Sequence, residues 1–391
     1  MKALWRRLLV AVGGYIRATD RYLWAIALTL SSISVLLLLG LLNTGYATKT
    51  QLATQLIAAC MGITAAVILS NLDYHVLAGL WKLYMPACLL LVLLTFTPLG
   101  VVRGDDQAWL SIPVINYTIQ PSEFLKLAFI FTFSLHLERV RGEVNKIPNL
   151  VKLCIHGAIP VLLIHLQGDD GSAMIFLFIF ACMLFAAGLD IKYILWAAGA
   201  AVLVAPLVWF FVLTEDQKER FLIFTNPASD PTGKGWQQYQ GLLAIGSGGV
   251  SGTGIFSGQH VYVGEARNDF IFTFLAESLG FLGCLGLIAL FMALCIKILW
   301  NSTRAEDPLG QFLCVGVFAM IAFQVIINLG MCLSVLPVIG VTLPLLSSGG
   351  TSVLTVYISL GIVLSVYHRS RINIFIDTSP IPKHLPPPPP S

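Results

Sequence analysis

Three small groups of charged residues stand at the ends of apolar runs, and their residue types could support chemistry. The groups are Glu265, Arg267 and Asp269; Glu123 and Lys126; and Asp169 and Asp170. A charged side chain at the end of a membrane-spanning helix is costly to desolvate, so it is either hydrated or retained for a function. Glu123 and Lys126 could line a polar cavity, and the adjacent carboxylates of the third group could ligate a divalent cation.

Two of these groups also have a purely structural interpretation. Glu123 and Lys126 share one helix face, so they could form an ion pair that lets the helix end lie among lipid headgroups. Asp169 and Asp170 lie in the turn sequence QGDDGS, where solvated polar residues are common. The glycine-rich segment GSGGVSGTG lacks the GxxxxGK[ST] pattern of a nucleotide-binding loop, which favours a role in flexibility and close backbone packing.

The composition indicates a polytopic membrane protein. Of 391 residues, 57% are hydrophobic and 11% are charged, and the mean hydropathy is +0.83. Helices are required because lipid offers no partners to backbone polar groups. No basic block is interleaved with aromatic residues, so nucleic acid is not an expected partner, and the absence of CxxC argues against a zinc site. The predicted fold is all-α with about ten transmembrane helices, at residues 22–43, 51–70, 80–98, 121–137, 151–166, 172–188, 191–213, 269–299, 310–335 and 346–367.

Charge asymmetry predicts the orientation of these helices. With the N-terminus inside, most of the 23 Lys and Arg residues fall in cytoplasmic segments, which satisfies the positive-inside rule. Both termini are then cytoplasmic, and all three charged groups reach the outer face. The predicted domains are a basic N-terminal segment at 1–21, a transmembrane domain at 22–368 and a Pro-rich cytoplasmic tail at 369–391.

Two outer segments are expected to enclose a cavity with these groups. The loop at 214–268 is far longer than a connection requires, which is typical of a functional loop. Its Trp236, Tyr239, Leu242 and Leu243 are spaced as on a short interfacial helix. The segment 337–350 is broken by proline and glycine, and such backbone persists at membrane depth only against protein or a water-filled cavity.

Several motifs in order resemble those of the SEDS family of integral-membrane peptidoglycan glycosyltransferases, over almost the whole chain. QPSExxK is matched by 120–126, the AIGSGG loop by 244–249, DFIF by 269–272, AExLG by 276–280, and NxGM…LPxxG…LPLxSxGG by 328–350. The AIGSGG and NLGM sequences are more similar to the RodA branch than to the FtsW branch. The chain departs from the family pattern at four places, which are Ala108-Trp109, Gln167-Gly168-Asp169, Arg267-Asn268 and Ser347-Ser348.

The resemblance implies polymerisation of lipid II, in which a sugar hydroxyl displaces undecaprenyl diphosphate from the anomeric carbon of the growing glycan. Asp269 would be the catalytic base, and Lys126 with Arg267 or Arg220 would stabilise the departing diphosphate. Mg²⁺ or Mn²⁺ could share that work through Asp169 or Glu123. The further residues implied are Gln120 and Ser347 in substrate binding, and Glu277 and Asn328 in support.

The resemblance also implies partners and a location. A class B penicillin-binding protein would supply cross-linking within the elongation or division machinery, in the bacterial cytoplasmic membrane. Three alternatives remain open: the division or sporulation branch of the same family, a lipid II flippase, and a scaffold without chemistry. A transporter should place ionisable residues along the full membrane depth, whereas these charges gather at the outer end.

Overall fold

The computed structural model describes residues 13–103, 106–112, 117–211, 213–233 and 235–377, and it is mostly helical. In chain order the helices are α1 Arg21–Asn43, α2 Lys49–Asn71, α3 Tyr74–Gly79, α4 Trp81–Leu94, α5 Pro121–Arg139, α6 Ile147–His165, α7 Asp170–Ala186, α8 Ile191–Phe211, α9 Glu215–Ile223, α10 Trp236–Ser247, α11 Ile271–Ser302, α12 Pro308–Cys332 and α13 Gly350–Asp377. Each of the ten predicted runs therefore coincides with a helix. The N-terminal residues 1–12 and the last part of the predicted tail, 378–391, lie outside the described residues.

Seven helices in the described part of the chain are long and apolar enough to cross a membrane: α1, α2, α6, α8, α11, α12 and α13. Two more, α4 and α7, are apolar but shorter, and α5 carries Glu123 and Lys126 in 19 residues. A multi-pass membrane protein is confirmed, while the count of ten crossings stays a prediction. The last helix continues to Asp377, past the predicted domain boundary at residue 368.

Small residues bring α2 and α13 into close contact. A Cβ atom at Gly361 would lie 2.7 Å from Ala66 Cα, and one at Gly62 would lie 2.8 Å from Tyr357 Cβ. Helices pack this closely in membranes because the hydrophobic effect gives no help there, and dispersion contacts must hold them together. Helix α8 shows the opposite behaviour, since it buries none of its residues in the protein.

Helix α11 is broken where the sequence predicts one uninterrupted span from 269 to 299. Gly280 has φ 65° and ψ −165°, outside the helical region. The freed backbone groups are satisfied by the glycine-rich segment, because Thr253 N donates to Glu277 O at 2.9 Å and Phe281 N donates to Gly249 O at 2.9 Å. A Cβ at Gly252 would lie 2.2 Å from Ser278 O, so the close-packing interpretation of the glycines is confirmed.

A small antiparallel sheet stands between α4 and α5, an element that the sequence does not predict. Its strands are β1 Gly100–Arg103, β2 Asp106–Ile112 and β3 Tyr117–Ile119, in that spatial order. Leu110 pairs with both Gly100 and Ile119, which fixes the register. The sheet lies at the helix-bundle end where α2 and α5 begin. The short helix predicted around Trp236 is confirmed as α10.

Candidate active site

A cavity of about 700 Å³ opens at one end of the helix bundle. Its walls come from the beginnings of α2, α5, α7 and α13, from the sheet, and from the segments before α11 and α13. The ionisable side chains that line it are Asp106, Glu123, Asp169, Glu265, Arg267 and Asp269. All three charged groups of the sequence therefore contribute to one cavity. We call it the acidic cavity.

Glu123 and Lys126 form an ion pair within the first turns of α5. Lys126 Nζ donates to Glu123 Oε1 at 2.8 Å, and the lysine side chain is fully buried. Thr355 Oγ1, from α13, donates to Glu123 Oε2 at 3.1 Å. Glu123 lines the cavity, whereas Lys126 lies behind it. The ion-pair and cavity interpretations are therefore compatible, because Glu123 is paired and also lines the cavity. The Lys126 charge lies behind Glu123 and acts on the cavity from there.

The adjacent Asp169 and Asp170, at the start of α7, have different surroundings. Asp169 is buried in the cavity wall, where its Oδ1 accepts from Ser172 N at 2.9 Å and its Oδ2 from Gln120 Nε2 at 2.9 Å. Burial raises the pKa of Asp169, although these hydrogen bonds and the Lys126 charge oppose the increase. Asp170 points elsewhere, and its Oδ1 lies 2.6 Å from His165 Nδ1. Only the first carboxylate belongs to the cavity.

Asp169 and Glu123 do not fit a preformed divalent cation site. All four carboxylate oxygens already accept hydrogen bonds, and the Lys126 ammonium would repel a metal ion bound to Glu123. Within the residues that the structure describes, no group of three or more His, Cys, Asp or Glu side chains is close enough to hold a metal ion. We therefore assign no chemical step to a metal at this pair.

Asp269 is held by its main chain and extends its carboxylate toward the cavity. Asn328 Nδ2 donates to Asp269 O at 2.8 Å and to Val341 O at 2.7 Å, which joins α12 to both walls. No hydrogen bond to the Asp269 carboxylate is found among the described side chains. Burial raises its pKa to about 7, and the negative charges of Glu265, Asp169 and Asp106 add to the increase. A carboxyl with a pKa near neutrality suits proton transfer.

The segment before α11 presents Arg267 and Glu265 beside Asp269. Arg267 Nη2 lies 3.7 Å from Glu265 Oε1, and both side chains line the cavity. Ser348 N donates to Arg267 O at 2.8 Å, which ties the segment to the broken chain before α13. Since an exposed ion pair at this distance is weak, the Arg267 guanidinium remains able to bind an anion.

Two predicted residues, Ser347 and Glu277, do not line the cavity. The sequence predicts substrate contact for Ser347, but its Oγ donates to Asn268 O at 2.6 Å and accepts from Leu343 N at 2.8 Å, so it holds the segment before α11. Glu277 lies outside the cavity, and its Oε1 accepts from Val261 N at 2.8 Å. The side chain of Arg220 lies outside the described residues, so its predicted role stays a prediction.

Several residues that line the cavity are not predicted by the sequence patterns. Thr50, Gln51 and Thr54 come from the first turns of α2, and Asp106 and Trp109 come from β2. The first three carry only the signature of a helix start, because Thr48 and Gln51 form a reciprocal capping box. A better signal was present in α12, where Gln324 interrupts an apolar run.

Gln324 is a polar residue of α12 that lies buried in the cavity wall. Its side chain is 1% exposed and lines the cavity, and its Oε1 atom has no hydrogen-bond partner among the described residues. A buried polar atom without a partner is costly. It is therefore an acceptor that water or substrate in the cavity can satisfy.

Fold and site together define a polytopic membrane protein with a carboxylate-rich cavity at one membrane face. The family model described as Cell cycle protein, which covers FtsW, RodA and SpoVE, matches residues 19–372. The chain belongs to this family. The SEDS resemblance is thereby confirmed, while the RodA branch is not specifically resolved.

Curated relatives from three branches are about equally similar. The chain is 33% identical over 333 residues to the probable peptidoglycan glycosyltransferase FtsW of Geobacter metallireducens, which covers 82% of this chain and 85% of that protein. It is 32% identical over 321 residues to the peptidoglycan glycosyltransferase MrdB of Escherichia coli, at 80% and 85% coverage. Stage V sporulation protein E of Bacillus subtilis is 32% identical, at 81% and 87% coverage.

Solved structures share the fold. A chain from a peptidoglycan synthase complex, described as coordinating polymerization and crosslinking, superposes with a TM-score of 0.76 at 28% identity and covers 90% of this chain and 98% of its own length. The rod shape determining protein RodA of Thermus thermophilus superposes with a TM-score of 0.66 at 27% identity, at 90% and 97% coverage.

Proposed function

We propose that this chain is a peptidoglycan glycosyltransferase that polymerises lipid II at the outer face of the bacterial cytoplasmic membrane. Family membership and the names of the curated relatives support the activity. The observation that carries the site assignment is the Asp269 carboxylate, which faces the acidic cavity without a hydrogen-bond donor among the described side chains and has a pKa raised to about 7.

Glycan extension in this site is an inverting displacement. The 4-hydroxyl of the GlcNAc of one lipid II attacks the MurNAc anomeric carbon at the reducing end of the glycan chain that is still linked to undecaprenyl diphosphate. Asp269 accepts the hydroxyl proton as the new glycosidic bond forms. The bond between the anomeric carbon and the diphosphate oxygen breaks, and the diphosphate leaves with the electron pair.

The leaving diphosphate requires positive charge in a cavity that is mostly acidic. Arg267 is the basic side chain that lines the described part of this cavity, and Lys126 supplies a second charge from behind Glu123. Preorganised cations stabilise a developing anion best where water is excluded. Arg267 therefore contacts the diphosphate, and Lys126 acts on it at longer range.

The orientation follows from charge. The positive-inside distribution of Lys and Arg supports a cytoplasmic position for both termini, and the acidic cavity then faces outward. The lipid-linked substrate reaches it from the outer leaflet. Residues 22–368 form the catalytic transmembrane domain, and the segment 214–268 closes one side of the site.

The activity is tested with purified protein and fluorescent lipid II. Asp269→Asn should reduce glycan product by roughly 10²–10⁴-fold, the contribution typical of a general base. The matched control is Asp170→Asn, because this neighbouring carboxylate lies outside the cavity and pairs with His165. Asp269→Asn protein that polymerises at the wild-type rate would falsify the base assignment. Transport of lipid II without product would favour the flippase.

We further propose that the chain serves cell elongation and works with a class B penicillin-binding protein. The AIGSGG and NLGM sequences support the elongation branch, and the structural similarity to a chain from a peptidoglycan synthase complex supports a transpeptidase partner. Complementation of elongation-deficient and division-deficient cells separates the branches. Rescue of division alone would assign the chain to the other branch.

A further inference from the structure

A second cavity, of about 380 Å³, lies at the membrane face opposite the acidic cavity. It is formed by the beginning of α1 and the ends of α11 and α13. The lining residues are Thr19, Asp20, Arg21, Tyr22, Lys297, Trp300, Arg304, Tyr367 and Arg371. We call it the basic pocket. Its volume falls within the range of small-molecule binding sites, and the proposed polymerisation reaction uses none of its residues.

The pocket has a strong excess of positive charge. Arg21, Lys297, Arg304 and Arg371 face the single carboxylate of Asp20. Lys297 Nζ lies 2.8 Å from Asp20 Oδ2, so these two charges neutralise each other. The three arginines form no ion pair with any carboxylate in the described part of the chain.

Asp20 cannot neutralise the arginines as well, because its oxygens are already engaged. The residue is 1% exposed. Its Oδ1 accepts from Tyr22 N at 3.2 Å and Leu23 N at 3.3 Å, which caps α1. Its Oδ2 accepts from Asn301 Nδ2 at 3.1 Å in addition to Lys297. The Asp20 carboxylate is therefore held in one position at the base of the pocket. The arginines remain available to an external anion.

Aromatic rings orient the cations toward the pocket. The Arg304 guanidinium lies 4.8 Å from the centroid of the Trp300 ring, and Arg371 lies 5.8 Å from that of Tyr367. Trp and Tyr are enriched where membrane proteins meet the headgroup region. The positive groups are thus expected at the depth of the lipid phosphates.

An apolar track leads from the pocket into the membrane. Met292, Ile296 and Trp300 follow one another on one face of α11, and each side chain is more than half exposed. A phospholipid bound through its phosphate could lay an acyl chain along this face. A soluble phosphate has no acyl chain and would not contact this face.

We propose that the basic pocket binds the phosphate headgroup of an anionic phospholipid from the leaflet on that face. Basic pockets between transmembrane helices are a known form of lipid recognition. Arginine is suited to this role because its planar guanidinium forms paired hydrogen bonds with phosphate oxygens. The site is independent of the acidic cavity and of lipid II polymerisation.

The test is native mass spectrometry of the purified, delipidated protein titrated with phosphatidylglycerol or with phosphatidylcholine. Wild-type protein should bind phosphatidylglycerol more tightly. Arg304→Gln combined with Arg371→Gln should weaken this binding by on the order of tenfold and leave phosphatidylcholine binding unchanged. Both side chains are exposed and unpaired, so the double variant should fold, and circular dichroism checks this. Arg141→Gln combined with Lys152→Gln is the matched control, since both are exposed basic residues outside the pocket.

The outcomes separate the sources of phosphate. Equal loss in the control variant would show general surface electrostatics and overturn the site. Equal binding of the two lipids by wild-type protein would also overturn it. Inorganic phosphate that displaces phosphatidylglycerol at matched concentration would assign the pocket to a soluble phosphate and refute the lipid assignment.

Discussion

The two cavities lie at opposite ends of the helix bundle and carry opposite charge. Five carboxylates and one arginine line the acidic cavity, whereas four cations and one carboxylate line the basic pocket. In both, some of the charges are neutralised inside the protein: Glu123 by Lys126, and Asp20 by Lys297. Other charges that line the two cavities form no ion pair among the described residues: Asp269 in the acidic cavity, and Arg21, Arg304 and Arg371 in the basic pocket.

Charges at helix ends therefore have two different uses in this protein. A pair fixed by hydrogen bonds holds the wall, and its loss should cost stability. An unpaired charge at the cavity surface serves an external ligand, and its loss should cost binding or chemistry while leaving the fold intact. Variants of each kind test whether this division is real.

The largest expected effect comes from breaking the buried ion pair in α5. Lys126→Met leaves the Glu123 carboxylate buried without its cation, which typically costs about 3–5 kcal/mol. We expect a large fall in the unfolding temperature and loss of polymerisation. Thermal denaturation in detergent, together with the lipid II assay, measures both.

A double variant shows whether the loss is structural. Glu123→Gln combined with Lys126→Met removes both charges, so most of the stability should return while activity stays low. A double variant as unstable as Lys126→Met alone would mean that the uncompensated Glu123 charge is not the cause of the instability, and the loss would then come from the missing contacts of the Lys126 side chain.

Sequence patterns were sufficient for the helices because membrane thickness fixes the length of each apolar run. The predicted run 22–43 corresponds to the observed helix Arg21–Asn43, and the predicted run 121–137 corresponds to Pro121–Arg139, so the bounds agree within two residues. The break at Gly280 was not predicted, since the backbone groups that satisfy it come from residues 249–254, which no local pattern connects to it.

The site residues also divide into those that a local pattern predicts and those that depend on tertiary contacts. Glu123, Asp169 and Asp269 were predicted because charge at the end of an apolar run is conspicuous. Asp106 was not, because it is the first residue of a short strand in a polar segment and reaches the cavity only through pairing of the sheet. Charge marks a residue in the sequence, but tertiary contacts decide which cavity it enters.

The acidic cavity should give polymerisation a pH dependence that is set by Asp269. Because the pKa of Asp269 is raised to about 7, a base at this position should lose activity as the pH falls through about 7. The negative charge of Glu265 helps to raise this pKa, so Glu265→Gln should lower the pKa of Asp269. The acidic limb of the pH–rate profile, where activity falls with falling pH, should then move to lower pH by a fraction of a unit to about one unit. Initial rates of glycan formation between pH 5.5 and 8.5 measure the limb.

A control distinguishes this electrostatic effect from general damage. Glu215→Gln removes an exposed carboxylate that is paired with Lys218 and does not line the cavity, and its limb should stay at the wild-type position. An unmoved limb in Glu265→Gln, with the rate simply scaled down, would mean that Asp269 is not the titrating group.

The smallest expected effect is that of Asp269→Asn on stability. It has the opposite sign from that of Lys126→Met, because this variant should stabilise the protein. The folded protein holds a proton on Asp269 up to about pH 7, whereas the unfolded chain releases it near pH 4. Stability from this group therefore falls as the pH rises between those values. Asp269→Asn removes this cost, so its unfolding temperature at pH 8 should exceed that of the wild type by on the order of 2 °C, and the difference should shrink at pH 5. Asp170→Asn, which changes the hydrogen-bonded contact with His165, should show no such gain. An unfolding temperature that is lower in Asp269→Asn at pH 8 would place Asp269 among the charges that hold the wall, and the distinction between paired and unpaired carboxylates in this cavity would be lost.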